Sequence, residues 1–223
     1  MIFGFAQLRN ELQNGNLLRF ADNMNSLTDT VYVYDQDSTD MSYSVYCENL
    51  WEVFYSSENK FSQEIRCKQV LLDMIKEDYK DGWILWLDGD SILNTTRSSL
   101  DQIIYHCECE GYDSVAFGHL NLWSNERTYR VDNNYIHLDD IGVIALWKIS
   151  DDLRFSEENG LHKLQYPSTL RSTFDAREIK IHHYGFISEE KRKAKYDLYK
   201  SLGQSGYDLD RILDVATLRL EEV

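Results

Sequence analysis

The stretch Trp83-Ile-Leu-Trp-Leu-Asp-Gly-Asp90 decides the fold of this chain. Its first five residues are apolar, and an uninterrupted apolar run of this length predicts a strand covered on both faces, as in parallel sheets. Two carboxylates follow at once, separated by a single glycine. Carboxylate oxygens are the ligands that Mg²⁺ and Mn²⁺ prefer. We therefore predict a divalent-cation site at 88–90, because an ordinary exposed Asp-Gly turn rarely follows such a buried run.

Segments with strand and helix character alternate around this stretch. Period-2 or continuous apolar runs predict early strands at 2–8, 31–34 and 51–55, and apolar residues at helical spacing predict helices at 12–27 and 63–76. This alternation indicates a parallel, doubly wound half. The pattern then changes, and we expect a mixed or antiparallel half with strands at 114–122, 128–131, 141–147 and 179–184. Two closing helices are predicted, at 188–202 and 209–220. The predicted fold class is α/β with a mixed sheet.

Charge and composition exclude several function classes. The chain has 223 residues, with 23 Lys and Arg against 38 Asp and Glu, and a formal net charge of -15. A surface this acidic repels a polyphosphate backbone, so we expect no nucleic-acid partner. An anionic small substrate would need a local cation such as a metal. No apolar run reaches the roughly 18 residues of a transmembrane helix, and we expect a soluble, cytoplasmic chain.

Polar clusters follow three of the predicted strands, at 7–11, 35–40 and 88–90. In open α/β sheets, ligands bind beyond the carboxyl ends of the strands, so these clusters outline a pocket. A pair of histidines, His182 and His183, ends the last predicted strand, and imidazole can complete a Mn²⁺ shell. Because side chains alternate along a strand, only one of the two is expected to reach the metal, and we favour His183.

The ordered motifs at 3–11, 31–40 and 83–90, together with Arg66, resemble the nucleotide-binding half of GT-A glycosyltransferases, especially family 2. The segment 181–188 is similar to the C-terminal signature of family 2-like members, and the whole chain is similar to the N-terminal domain of chlorella-virus-encoded members. The resemblance implies a GT-A (Rossmann-like) three-layer α/β/α fold. It also implies one domain over 1–223, divided into a nucleotide-sugar-binding half (1–110), an acceptor half (111–187) and C-terminal helices (188–223).

The same resemblance assigns roles to individual residues. Asp90 is implied as a direct metal ligand, and Asp88 as a ligand of ribose or of a metal-bound water. Family members usually carry two adjacent acids where this chain has Asp35-Gln-Asp37, so either acid could accept the uracil imide hydrogen bond. The further residues implied in substrate binding are Gln7, Arg9, Glu11, Arg66, His162 and Lys195.

An inverting transfer needs a carboxylate to take the proton from the acceptor hydroxyl. Asp139 and Asp140 precede an apolar segment in the acceptor half and are the candidate catalytic bases, with Glu157, Glu158 and His162 as alternatives. Trp123, Trp147 and Tyr166 are candidates for a stacking floor under an acceptor sugar.

The function expected from these features is a Mn²⁺- or Mg²⁺-dependent inverting transfer of a sugar from a UDP-sugar donor to a carbohydrate hydroxyl, on a glycan or glycoprotein. Two alternatives stay open: a non-catalytic sugar-nucleotide-binding domain, and a metal-dependent nucleotidyltransferase or phosphohydrolase. The chain could belong to a longer multi-domain polypeptide, and a viral chain would act in the host cytoplasm.

Overall fold

A computed structural model of the chain describes residues 1–60, 63–132, 142–157, 164–201, 203, 207–216 and 218–223. Within these residues, eight strands form one sheet and two others pair separately. The strands are β1 (Ile2–Leu8), β2 (Thr30–Gln36), β3 (Glu52–Ser56), β4 (Trp83–Trp86), β5 (Ser91–Leu93), β6 (Ser114–Asn121), β7 (Thr128–Arg130), β8 (Val143–Lys148), β9 (Thr173–His183) and β10 (Leu220–Glu222). The helices are α1 (Leu17–Leu27), α2 (Ser42–Glu48), α3 (Glu64–Asp78), α4 (Arg97–Glu110), α5 (Glu189–Ser201) and α6 (Tyr207–Asp210).

The large sheet is mixed and has the order β3-β2-β1-β4-β8-β6-β9-β5. The first four strands in this order are parallel neighbours. Strand β8 is antiparallel to both β4 and β6, β9 is parallel to β6, and β5 is antiparallel to β9. The predicted α/β class with a mixed sheet is confirmed. These pairings bring the carboxyl ends of β1, β2, β4, β6 and β9 to one edge of the sheet, which we call the carboxyl rim.

The central strands are buried because helices cover them. All four residues of β4 are buried, as the continuous apolar run predicts. Helix α1 buries Leu17, Phe20, Ala21, Met24 and Leu27, an apolar stripe at helical spacing. A Cβ added to Gly4 would lie 2.8 Å from the Met24 Cε atom. Glycine at this position therefore lets α1 pack directly against β1.

An aromatic cluster fills the core beneath the rim. The rings of Phe5 and Trp147 lie 6.1 Å apart, and those of Trp86 and Trp147 lie 6.4 Å apart. Burying each such side chain contributes about 1.5–3 kcal/mol to folding. Trp147 and Trp123 are both 0% exposed. The predicted stacking floor is therefore wrong for these two tryptophans, because neither ring can reach a sugar; Tyr166 is half-buried against the same core.

Strand β9 connects the last part of the chain to the Asp-Gly-Asp turn. It runs parallel to β6 with an irregularity between Phe117 and Gly118, and it ends at the two histidines. Strand β5 begins directly after Asp90 and places Ser91 opposite His183. Backbone pairing alone therefore joins the turn to the histidine pair, although Ser91 and His183 are 92 positions apart in the sequence.

The C-terminal region is only partly helical. The predicted helix at 188–202 is confirmed as α5, whereas the predicted helix at 209–220 is wrong. Helix α6 ends at Asp210, and β10 pairs antiparallel with β7 in the second sheet. The Arg130 guanidinium also donates to the Arg211 carbonyl at 2.9 Å. Arg130 lies 81 positions before Arg211, and the β7 partners of β10 lie 90 or more positions earlier, so local apolar spacing could not reveal them.

Candidate active site

The Asp-Gly-Asp turn lies at a switch point of the parallel strands. From β1, the chain adds β2 and β3 on one side of β1, whereas β4, which leads into the turn, lies on the other side of β1. Open α/β sheets bind ligands at such switch points. The Ser91 N–H donates to the Asp88 carbonyl at 2.9 Å and closes the turn. A Cβ on Gly89 would lie 2.7 Å from Glu11 Cγ and 2.7 Å from Leu8 Cδ2. Glycine therefore allows the turn to touch the loop after β1.

Asp90 and His183 meet at this rim. The Tyr184 N–H donates to the Asp90 carbonyl at 2.7 Å, which fixes the end of β9 against the turn. The Nε2 atom of His183 lies 3.1 Å from Asp90 Oδ2. His182 is equally buried, but its Nε2 atom has no hydrogen-bond partner. Strand alternation thus separates the two histidines, and of the two it is His183 that contacts Asp90.

Asn121, the last residue of β6, orients the His183 ring. Its Oδ1 atom lies 2.7 Å from His183 Nδ1. An amide oxygen can only accept, so Nδ1 carries a proton in both protonation states of the ring. The Nε2 atom then either donates to Asp90 or, when deprotonated, presents its lone pair at the rim. An outer hydrogen bond of this kind commonly sets the orientation of metal-binding histidines.

Lys195 of α5 contacts both members of this pair. Its Nζ atom lies 3.0 Å from Asp90 Oδ2 and 3.0 Å from His183 Nε2. A Cβ on Gly185 would lie 2.5 Å from Asp90 Oδ2 and 2.6 Å from His183 Nε2, and would also collide with the ammonium. Burial alone would raise the pKa of Asp90, but His183 and Lys195 outweigh it and hold that pKa well below its ordinary value. Asp90 is therefore ionised at neutral pH.

Asp88, the first residue of the turn, has a different environment. Its side chain is exposed to solvent, while protein surrounds it on the remaining sides. This enclosure raises the pKa of Asp88, the Lys68 charge opposes the rise, and the Asp90 charge adds to it. Since solvent reaches the carboxyl group, we expect a smaller rise than full burial would cause.

Lys68 is a site residue that the sequence analysis missed. It is fully buried, forms an ion pair with Glu64 at 3.0 Å, and places its Nζ atom 4.0 Å from the centre of the Trp86 ring. Its charge also acts on Asp88. The sequence does carry a signal that Lys68 is buried, because it lies on the apolar stripe of α3, three residues after Ile65 and four before Leu72. A lysine at such a position is rarely buried without a charged partner.

The loop after β1 contributes a second acidic group. Glu11 accepts a hydrogen bond from Asn16 Nδ2 at 2.8 Å. Burial, followed by the Asp90 charge, raises the pKa of Glu11 to about 7. The amide nitrogen and oxygen of Gln7 are both buried without a hydrogen-bond partner. Arg9 is exposed on the same loop.

The end of β2 supplies the predicted base-binding acids. Asp35 is fully buried; its Oδ1 atom accepts from the Ser38 N–H at 2.8 Å, and its Oδ2 atom has no hydrogen-bond partner. Asp37 has a left-handed φ of 59° and accepts from the Tyr55 hydroxyl at 3.2 Å. Of the two residues, Asp35 is therefore the one with a buried acceptor atom that has no hydrogen-bond partner. Arg66 is exposed on α3.

Several candidate residues cannot be placed relative to this site. The candidate bases Asp139 and Asp140 lie outside the described residues, as do Glu158 and His162. Glu157 is described and is exposed. The group that the structure does bring together at the rim consists of Glu11, Asp88, Asp90, His183 and Lys195.

The Asp90–His183 pair fits a divalent cation. Two ligands at right angles on such an ion, with bonds of about 2.1 Å, lie about 3 Å apart. The two donor atoms here are separated by 3.1 Å. No cluster of three or more His, Cys, Asp or Glu side chains with metal-binding geometry occurs in the part of the chain that the structure describes. Two protein donors would leave the other positions to water and phosphate oxygens, which is the usual pattern for Mg²⁺.

Comparisons with known proteins connect this architecture to one fold. No protein-family model and no curated sequence matches the chain. The chain resembles the crystal structure of S. aureus TarS, with a TM-score of 0.56 and 13% identity, over 95% of this chain and 42% of TarS. It also resembles TarS 1–349, with a TM-score of 0.52 and 14% identity, over 95% of this chain and 69% of that one.

A third similar structure is the mannosyltransferase PcManGT from Pyrobaculum calidifontis in complex with GDP-Man and Mn²⁺. Its TM-score is 0.55 at 11% identity, over 96% of this chain and 64% of that one. The chain therefore has the GT-A fold of these glycosyltransferases. It spans less than half the length of TarS. No helix of the described residues is both long enough and apolar enough to cross a membrane.

Proposed function

We propose that the chain is a metal-dependent inverting glycosyltransferase. It would transfer a sugar from a UDP-sugar donor to a hydroxyl group of a carbohydrate acceptor. The observation that carries this proposal is the Asp90–His183 pair at the switch point of a GT-A fold, with donor atoms 3.1 Å apart. The complex of PcManGT with GDP-Man and Mn²⁺ supports the combination of this fold with a divalent metal and a nucleotide-sugar donor, and the UDP link is proposed from the sequence. Asp90 and His183 would hold Mn²⁺ or Mg²⁺.

The donor nucleotide would bind along the carboxyl rim, from β2 across β1 to β4. The unpartnered Oδ2 atom of Asp35 is buried, and a buried acceptor without a hydrogen bond costs about 1–3 kcal/mol. An imide N–H, such as uracil presents, would satisfy it. Gln7 has two further unpartnered amide atoms at the same rim. Arg9, Glu11, Asp37, Arg66 and Lys195 are the other described residues proposed in donor binding, and His162 is proposed from the sequence.

The chemistry would be a single displacement. A carboxylate takes the acceptor O–H proton, the acceptor oxygen bonds to the anomeric carbon, and the bond from that carbon to the diphosphate oxygen breaks. Asp139 or Asp140 remains our proposal for this base. A divalent cation would stabilise the negative charge that develops on the departing diphosphate. Asp88 would bind the ribose or a metal-bound water.

Product analysis tests this function. The chain is incubated with UDP-, GDP- and dTDP-sugars, Mn²⁺ and a panel of oligosaccharides, and the products are examined by phosphorus and proton NMR. We expect release of UDP, suppression by EDTA, and a new glycosidic bond of inverted configuration. A matched control is Lys193→Ala, which alters an exposed side chain of α5 and should leave turnover unchanged.

Other outcomes would identify the alternatives. A product of retained configuration would refute the single displacement. Nucleoside monophosphate or inorganic phosphate would indicate a nucleotidyltransferase or phosphohydrolase, and donor binding without turnover would indicate a non-catalytic domain. An acceptor on a glycan or glycoprotein, a place in a longer polypeptide, kinship with the chlorella-virus enzymes and a location in the cytoplasm are proposed from the sequence alone.

A further inference from the structure

The ammonium group of Lys195 lies where the metal proposal would put a cation. Its Nζ atom is 3.0 Å from Asp90 Oδ2 and 3.0 Å from His183 Nε2, and those two atoms are 3.1 Å apart. The three atoms form a nearly equilateral triangle. Gly185 has no side chain to compete for this space, since a Cβ there would lie 2.5 Å from Asp90 Oδ2.

Helix α5 holds Lys195 in this position through contacts made by its preceding turn. Lys191, one turn earlier, donates to Asn16 Oδ1 at 2.6 Å, and Asn16 in turn donates to Glu11. The Arg192 guanidinium donates to the Phe186 carbonyl at 2.8 Å. Residues four apart share one face of a helix. The face that carries Lys191 and Lys195 therefore covers the acidic rim.

A lysine ammonium and a divalent cation cannot both use these two donor atoms. Each would need the Asp90 oxygen and the His183 lone pair at close range, and two cations within a few ångströms repel each other strongly in a partly buried site. Binding of one species therefore requires the other to leave. Because Lys195 belongs to α5, its departure must involve this helix or the long lysine side chain.

We propose that Lys195 is a resident cation that competes with the divalent metal for Asp90 and His183, so that metal binding is coupled to release of Lys195 from the rim. This inference rests on the proposed function and adds a determinant of metal affinity. It predicts that the chain alone binds Mn²⁺ weakly. A nucleoside diphosphate should strengthen Mn²⁺ binding, because its phosphates give the displaced ammonium a new partner.

Mn²⁺ titration monitored by the EPR signal of free Mn²⁺ tests the competition. The full chain is compared with Lys195→Met, which keeps the side-chain length without the charge, and with Lys193→Met as the matched control on the exposed side of α5. Without nucleotide, we expect Lys195→Met to bind Mn²⁺ about tenfold or more tightly than the original chain. Lys193→Met should match the original chain. With UDP added, the difference should shrink.

Other results would overturn the inference. Equal or weaker Mn²⁺ binding by Lys195→Met, while the original chain binds Mn²⁺ with UDP, would refute the competition and leave the proposed function standing. Absence of Mn²⁺ binding in every protein, with and without UDP, would refute both the competition and the metal dependence. Transfer activity that persists in EDTA and is lost in Lys195→Met would show that the lysine replaces the metal.

Hydrogen exchange of the unaltered chain provides a measurement that does not depend on a variant folding. Amide exchange across 189–201 is compared with and without Mn²⁺. We expect faster exchange in α5 when Mn²⁺ is present, because the contact of Lys195 with Asp90 and His183 is lost. Slower exchange in α5 at Mn²⁺ concentrations that saturate the protein would contradict the coupling.

Discussion

Polar groups are paired differently at the two edges of the large sheet: the carboxyl rim and the opposite edge, where the parallel strands begin, which we call the amino edge. At the amino edge, the carboxylates are paired: Asp29 accepts from the Ile2 N–H at 2.7 Å, and Asp113 accepts from the backbone N–H groups of Arg171 and Ser172 at 2.9 and 3.0 Å. At the carboxyl rim, Gln7 and Asp35 have buried atoms without partners. Such atoms reduce stability unless a ligand satisfies them.

This difference indicates that the carboxyl rim is the edge that binds a ligand. At the amino edge, carboxylates accept hydrogen bonds from backbone N–H groups at the starts of strands. At the carboxyl rim, polar groups without partners are available to a ligand, and they lower the stability of the ligand-free protein. We therefore expect substitutions at the rim to change binding more than stability, and substitutions at the amino edge to do the reverse. Four experiments test this division.

The largest expected effect is that of Asp90→Asn. Removing the charge takes away a metal ligand and leaves the Lys195 ammonium without its carboxylate partner. We expect Mn²⁺-dependent UDP affinity to fall at least about 100-fold, as measured by isothermal titration calorimetry. The matched control is Asp113→Asn at the amino edge, which should lower the melting temperature and leave UDP affinity unchanged. Loss of UDP binding in both variants would contradict the division between a binding edge and a stabilising edge.

His182 and His183 allow metal binding and stability to be compared at two adjacent residues of one strand. They are similarly buried, with 7% of His182 and 8% of His183 exposed, but only His183 is in contact with Asp90. We expect His183→Ala to weaken Mn²⁺ binding about 10- to 100-fold. His182→Ala should lower the melting temperature by leaving a cavity, without a change in Mn²⁺ affinity. Equal losses of Mn²⁺ affinity would show that the histidines act together.

Two glutamines test whether unsatisfied groups mark the binding edge. Both amide atoms of Gln7 are buried without partners, whereas Gln69 accepts from the Phe155 N–H at 2.9 Å and donates to Asp73 at 2.8 Å. We expect Gln7→Met to raise the unfolding free energy by about 1 kcal/mol and to weaken UDP binding. Gln69→Met should lower the unfolding free energy. Chemical denaturation measures both, and destabilisation by Gln7→Met would contradict this interpretation.

The smallest expected effect concerns pH at the amino edge. Burial opposes ionisation of Asp29, but hydrogen bonds from Arg97 and from the Ile2 N–H outweigh it and lower the pKa of Asp29 below its ordinary 3.8. A lowered folded-state pKa adds stability above the ordinary pKa, and this stability disappears as the pH falls through the folded-state value.

Asp29→Asn is the corresponding variant. Because a third of each partner's side chain is exposed, with 34% for both Asp29 and Arg97, we expect it to lose less than about 1 kcal/mol of unfolding free energy at pH 7. Denaturation curves should converge with those of the original chain as the pH falls below 3.8. A stability difference that persists undiminished at the lowest pH would rule out this electrostatic origin.

The sequence predicts the parallel half of the fold well because its signals are local. The apolar run before Asp88 predicts a doubly covered strand, and strand alternation predicts that His182 and His183 point to opposite faces. Other features depend on partners far along the chain. Strand β10 forms through pairing with β7, and Lys195 meets an aspartate 105 residues away. No local pattern contains those partners.

The most direct test of the metal site is the anomalous scattering of Mn²⁺ in a crystal grown with UDP. We predict a strong anomalous peak about 2.1–2.3 Å from both Asp90 Oδ2 and His183 Nε2, beside the diphosphate and with Lys195 displaced. A structure with UDP bound and no anomalous peak between these two residues would contradict the proposed metal site.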